Sequence, residues 1–165
     1  MQPFPPWVWD IPGHFNIGVA CTDAHLGTPI ATRTAVVVDR DDAADEVTYA
    51  GLAESTSRFA QLLRDLGCDA GDRVLIRLPN CLAYPTAFLG ALKRGAVPVP
   101  TSTMLTADEV RFLATDSGAS VLITDRATWD AMQPVLVTLP ALRDVLLLGD
   151  PPGASSGTLA VHAGC

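Results

Sequence analysis

An α/β fold, with a doubly wound, mostly parallel sheet and helices on both faces, is predicted by three features of the sequence. Short apolar runs alternate with amphipathic stretches along most of the chain. Several runs, such as Val74-Leu75-Ile76 and Val121-Leu122-Ile123, are continuously apolar, the pattern of strands buried on both faces. The segments between them close on Gly, Pro or Asp, where helices and strands stop. With 165 residues, 48% of them hydrophobic, the chain can bury one core of ordinary size.

Residues 1–29 are rich in Pro, Trp, His and Gly, show no sustained period, and read as an ordered arm. Residues 30–150 read as the α/β unit. Thr34–Val38 is β-branched enough for a strand, and Val47-Thr48-Tyr49, beyond an acidic turn, is its hairpin partner. From Ala50 the apolar residues Leu52, Phe59, Leu62, Leu63 and Leu66 recur at helical spacing, and Gly67 marks the stop. Arg73–Leu78 follows as a strand closed by Pro79.

The next helix has Pro85 in its first turn, where a missing N–H is harmless. Its small residues Ala87, Gly90 and Ala91 suit close packing, and Lys93 and Arg94 suit its negative C-terminal end before Gly95. Val97-Pro98-Val99-Pro100 is extended, but its prolines confine it to an edge or end of the sheet. Thr106 and Glu109 form a capping box for a helix carrying Val110, Leu113 and Ala114. Val121–Thr124, a helix through Trp129 to Val137, and Val145–Leu148 complete the pattern, and residues 151–165, opening on Pro151-Pro152-Gly153, read as a linker-like tail.

Charge and motifs exclude several functions. Eleven basic against 18 acidic residues give a net charge of −7, which repels nucleic-acid backbones and anionic lipid surfaces. Lys93 is the only lysine, and the arginines are scattered. The first residues carry no basic leader, and no segment approaches the roughly 18 apolar residues of a membrane span, so the reading is of a cytoplasmic protein. Cys21, Cys68, Cys81 and Cys165 form no C-x-x-C pair, and His14, His25 and His162 have no carboxylates at ligand spacing, so neither a metal site nor a disulfide scaffold is expected. Neither G-x-G-x-x-G nor G-x-x-x-x-G-K-[ST] occurs. Gly153-Ala-Ser-Ser-Gly-Thr158 has the small residues of a phosphate loop without a lysine, and a linker accounts for it better. In such sheets ligands bind beyond the carboxyl ends of the strands, here Pro79-Asn80, Pro100–Thr103 and Asp125-Arg126. Arg126 is the candidate cofactor contact, because an arginine at that edge can meet a phosphate; no residue is assigned as catalytic.

Six stretches, in order and spacing, resemble one family: Phe15-Asn16-Ile17-Gly18, Val47–Leu52, Gly71-Asp72-Arg73-Val74, Leu78-Pro79-Asn80, Tyr84–Pro100 and Asp116-Ser117-Gly118-Ala119. Together they look like the amino-terminal part of an AMP-forming acyl-CoA or aryl-CoA ligase of the adenylate-forming superfamily, over about Phe15 to Asp150. Trp7, Trp9 and Phe15-Asn16-Ile17 resemble the benzoate and medium-chain acyl-CoA ligase branch. The resemblance implies an incomplete N-terminal subdomain of that fold. It also implies a two-step reaction in which a carboxylic acid is adenylated by ATP with Mg2+ and then transferred to coenzyme A. The family's phosphate loop, nucleotide contacts, acid pocket and catalytic lysine fall on no residue of this sequence. The expectation is therefore a fragment, inactive alone and binding none of these cofactors tightly, with a missing C-terminal half as partner. A stand-alone binding module that pairs with another chain is the alternative, and an unrelated flavodoxin-like enzyme is disfavoured by the lack of a phosphate loop after the first strand.

A mean hydropathy of +0.28 with 18% charged residues leaves more apolar surface than such a unit hides by itself; a well-solvated surface carries about 25–35% charge. The isolated chain is therefore expected to self-associate or to bind a hydrophobic dye strongly. Sedimentation velocity with dye titration checks this, and a monodisperse monomer with little dye binding would contradict it.

Overall fold

The computed structural model describes residues 8–10, 12–39, 44–148 and 159–162. Its centre is a sheet in the order β4-β3-β5-β6-β7, formed by β3 (Arg73–Arg77), β4 (Val97–Pro100), β5 (Val121–Asp125), β6 (Asp144–Leu148) and β7 (Leu159–His162). The first four strands in that row are parallel, and β7 runs antiparallel to β6. Beside the sheet, β1 (Thr34–Asp39) and β2 (Ala44–Thr48) form a separate antiparallel hairpin.

The continuous apolar runs are explained by burial on both faces. Val74, Ile76, Val121, Ile123 and Leu146 point to one face, where Phe59 and Leu63 of α2 (Tyr49–Asp65) and Ala87 and Ala91 of α3 (Ala83–Arg94) cover them. Leu75, Leu122, Val145 and Leu147 point to the other, against Val110 and Ala114 of α4 (Ala107–Ser117) and Trp129, Met132 and Leu136 of α5 (Arg126–Leu136). The crossover through α3 moves one strand outward from β3 to the edge, whereas that through α4 returns past β3 to β5. The change of direction comes with a change of face, as crossovers of one hand require.

Local chemistry sets most element ends. Thr48 accepts from the Gly51 N–H at 3.1 Å and starts α2, and Gly95, at φ 82°, ends α3. The capping box is present: Thr106 accepts from the Glu109 N–H, and Glu109 accepts from the Thr106 N–H at 2.8 Å. In β4 the N–H groups of Val97 and of the following Thr101 point into the sheet, to Asp72 O and Ile76 O. Pro98 and Pro100 therefore occupy outward positions of an edge strand, where no donor is needed.

Three segments differ from the sequence reading. The arm contains α1 (Ile17–Cys21) and a 3-10 turn at Asp23–His25, too short to leave a readable period. Helix α5 begins at Arg126, because the Asp125 side chain accepts from the Thr128 N–H and caps it there. Leu159–His162, within the stretch read as a linker-like tail, pairs with β6.

The arm is held by polar groups on α3. The Asn16 amide donates to Leu92 O at 2.8 Å and to Lys93 O at 3.2 Å, while its carbonyl caps α1 through the Val19 N–H. The Lys93 ammonium bonds the Asp23 carboxylate, Ala53 O and Ser57 Oγ, so all three of its donors are used. Gly18 lies so close that a Cβ there would sit 2.6 Å from Leu89 O.

The α2–α3 contact is equally tight. A Cβ on Gly90 would lie 2.7 Å from Phe59 Cδ1 and 2.9 Å from the Thr56 carbonyl oxygen. Gly90→Ala is expected to destabilise the fold by about 1–3 kcal/mol, as overpacking does. Gly13→Ala, where the added methyl meets nothing within 4 Å, serves as the control. Urea denaturation compares the two, and equal midpoints would contradict the packing argument.

Candidate functional site

The strand order reverses at β3, so the carboxyl ends of β3 and β5 form the crevice where α/β sheets place ligands. Arg77, the last residue of β3, lies there, in register with Thr124 of β5 and only 4% exposed. Its Nη2 donates to Thr103 O at 2.6 Å and Leu105 O at 3.0 Å, and its Nη1 donates to Thr128 Oγ1 at 3.0 Å. Thr128 Oγ1 in turn donates to Asp125 Oδ2 at 2.6 Å, and Asp125 Oδ1 accepts from the Thr128 N–H at 2.8 Å. The guanidinium thus ties the loop entering α4 to the first turn of α5, and only its Nε and the neighbouring Thr124 Oγ1 lack a partner. Burial works to raise the Asp125 pKa, but the two Thr128 hydrogen bonds and the Arg77 charge outweigh it and hold the carboxyl below the usual aspartate value.

A groove of about 460 Å³ opens beside this edge. One wall is Val36, Val37, Val38 and Asp39 of β1; the other is Asn80 and Cys81, just past the end of β3, with Tyr84 and Pro85 of α3. Cys81 is half-buried and is a free thiol, as are the exposed Cys21 and the buried Cys68.

The residues singled out from the sequence are dispersed rather than gathered. Arg126 occupies the first turn of α5, 53% exposed, with its guanidinium 3.8 Å from Asp130. Asn80 lies on the groove, 46 residues before it in the chain and on another strand's exit. The glycines with positive φ at Gly67, Gly71, Gly95 and Gly118 all sit in loops leading into strands, at the opposite edge. His25 packs edge-on against Tyr49 at 4.7 Å. Gly153–Thr158 lies outside the described residues. Among the described residues no three His, Cys, Asp or Glu side chains converge, and no helix is long and apolar enough to cross a membrane.

Sequence reasoning missed Arg77, and it placed Asp125 at the ligand edge without its role as the helix cap. The signals were a charge closing an otherwise apolar run, and an Asp-x-x-Thr pattern at a helix start.

Comparison with known proteins bears on the whole chain. The family described as AMP-binding enzyme matches residues 27–162. Benzoate–CoA ligase of Thauera aromatica is 34% identical over 151 residues, which is 91% of this chain and 27% of that protein. A long-chain-fatty-acid–CoA ligase of Mycobacterium tuberculosis is 36% identical over 107 residues, 65% of this chain and 19% of that protein. The crystal structure of a benzoate CoA ligase from Burkholderia xenovorans superposes with a TM-score of 0.69 at 28% identity, covering 92% of this chain and 31% of that one. The chain thus spans about a fifth to a quarter of the length of these curated relatives.

The Asp125 cap has a pH signature. Because its folded pKa is depressed, its stabilisation is complete above the unfolded-state value of about 3.9 and is lost as pH falls through the folded value. Asp125→Ala is expected to cost about 1 kcal/mol at neutral pH, the usual loss of an N-cap. The gap from the unsubstituted chain should close as pH drops below about 4. Urea titrations across that range check it, and a pH-independent gap would contradict the assignment.

Proposed function

The chain belongs to the AMP-binding enzyme family, and from that premise we propose that it supplies the amino-terminal α/β layer of an AMP-forming acyl- or aryl-CoA ligase and does not activate an acid by itself. Its homology to such ligases spans nearly the whole chain. The substrate class we assign is aromatic and medium-chain carboxylic acids, supported by the likeness to benzoate–CoA ligase over 91% of this chain. The reading also places the protein in the cytoplasm, where ATP and coenzyme A are available.

The observation that carries the lack of independent activity is the state of Arg77. It is the buried cation at the ligand edge of the sheet, and three of its donor contacts go to Thr103, Leu105 and Thr128 of its own chain. Asp125 is likewise occupied as a helix cap. The described residues of this edge do not fit ATP with Mg2+: no glycine there has the positive φ that lets a loop cradle phosphate, and no carboxylates converge for a cation. Arg126 we keep as the candidate contact to a phosphate of the nucleotide or of coenzyme A in the whole enzyme, since its guanidinium is half exposed. One exposed arginine does not amount to a phosphate site. This layer's role in the reaction is to form the sheet edge and fix its loops, and the groups that stabilise transferring phosphate come from elsewhere in the ligase.

Incubated with ATP, Mg2+ and benzoate, hexanoate or octanoate, the chain is expected to give no ATP–pyrophosphate exchange above blank. Removing even one preorganised donor costs about two to three orders of magnitude in rate, and here the set is absent from the described edge. Robust exchange would refute the proposal.

A further inference from the structure

Lys93 is the only lysine of the chain, and its side chain is 6% exposed at the end of α3. Its three donors go to the Asp23 carboxylate of the arm and, from α2, to Ala53 O at 3.1 Å and Ser57 Oγ at 3.0 Å. A groove of about 310 Å³ runs beside this cluster, lined on the arm side by Val19 and Asp23 and on the α2 side by Ser57 and Gln61. The arm buries little to hold itself there: Gly18 is the buried residue of α1, and Phe15, Ile17 and Val19 are 69%, 49% and 43% exposed. Its attachment to α3 therefore rests on polar contacts, the Asn16 amide on Leu92 O and Lys93 O and the Asp23 carboxylate on the ammonium. A segment with so little apolar burial opens locally at lower cost than the two-sided core.

We propose that the arm is a latch over a lysine acylation site: residues 16–25 shield Lys93 while docked, and acylation of Lys93 and docking of the arm exclude one another. An ammonium that donates three hydrogen bonds has no lone pair to attack with, so the docked lysine is inert. When the arm lifts, the ammonium gives one proton to water and Nζ attacks the carbonyl carbon of an activated acyl group, here a coenzyme A thioester. The C–N bond forms, the C–S bond breaks, and coenzyme A leaves as its thiol with a second proton from the amine. The amide left behind has one donor in place of three and no charge for Asp23, so the arm cannot close on it again. The inference rests on the reading of the chain as part of an acyl- or aryl-CoA ligase, which is what brings activated acyl groups to it. With no other lysine in the chain, side-chain amine chemistry is confined to the one site that the arm covers.

The full chain is incubated with benzoyl-CoA, and amide formation at Lys93 is followed by peptide mass spectrometry beside the same chain unfolded in urea. Acylation of the folded chain is expected to be slower by about tenfold or more. Asp23→Asn, which removes the ion pair, and Asn16→Ala, which loosens the arm without touching Nζ, should each speed it by about tenfold, the factor that losing one or two such bonds brings. In the converse experiment Lys93→Gln, which carries a neutral amide as the acylated residue does, should quicken amide exchange at Ala20, Thr22 and His25, whose N–H groups are bonded within the docked arm. Amides of β3 and β5 that exchange as slowly as in the unsubstituted chain show that each variant is folded.

Acylation of Lys93 in the folded chain at the rate of the unfolded one would overturn the proposal. So would a folded Asn16→Ala chain that reacts no faster, since the shield would then be the ion pair alone, and so would Lys93→Gln with the arm's amides still slow. Pyrophosphate exchange by the chain alone would instead sink the reading of it as an inactive layer and leave the latch standing, because the acyl group is supplied as benzoyl-CoA. A shield that fails in a chain without exchange activity would sink only the latch.

Discussion

Val74, Leu75, Ile76, Val121, Leu122 and Ile123 are excluded from water on both faces of the sheet, none more than 1% exposed, and nearly every other feature answers to that constraint. A strand buried on both sides needs a helix layer on each. Parallel neighbours need crossovers long enough to hold one, and α3, α4 and α5 are those crossovers. Their small residues set how closely the layers approach: Ala87, Gly90 and Ala91 let α3 lie against α2 and the sheet, where a larger side chain would strike Phe59 or the Thr56 carbonyl. The loops at the carboxyl edge take their positions from where those helices begin.

Two cations sit inside this apolar frame, and each is held by several acceptors. Arg77 and Lys93 are withdrawn from water, a costly arrangement unless the charge meets acceptors in good geometry. Arg77 meets two loop carbonyls and a threonine that relays to Asp125, so it fixes the relative position of three elements at the carboxyl edge of the sheet. Lys93 meets a carboxylate, a carbonyl and a hydroxyl from the arm and α2. Asp23 is held below the ordinary carboxylate range there: burial opposes its charge, and the Lys93 and Thr22 hydrogen bonds with the Lys93 charge more than offset it. One cluster holds the loops at the sheet's carboxyl edge, and the other holds the arm against α2 and α3.

Homologous chains put that unit in context. The likeness to acyl- and aryl-CoA ligases covers most of this chain and a minor share of theirs. An α/β layer of this size can hold its own two-sided core, yet it leaves Met104, Phe112 and Val37 exposed. Those are the surfaces a larger fold built on the same sheet would cover.

By itself the sequence determined the period of each long element and the punctuation between them. Apolar runs buried on both faces, the Thr106–Glu109 box, Gly95 after Lys93-Arg94 and the edge prolines are local signals, each settled by residues within a few positions of one another. The family resemblance rests on the same kind of short, ordered stretches. Only the tertiary structure decided that Arg77 faces Thr103, Leu105 and Thr128, that Asn16 and Lys93 bind the arm to α3, and that β1 lies across from Asn80 and Tyr84. Arg77 and Thr128 are 51 residues apart, and Asn16 and Leu92 are 76. A side chain of one element meets a loop of another only once the sheet has chosen its strand order, and that choice follows from covering both faces at once, which no local pattern encodes.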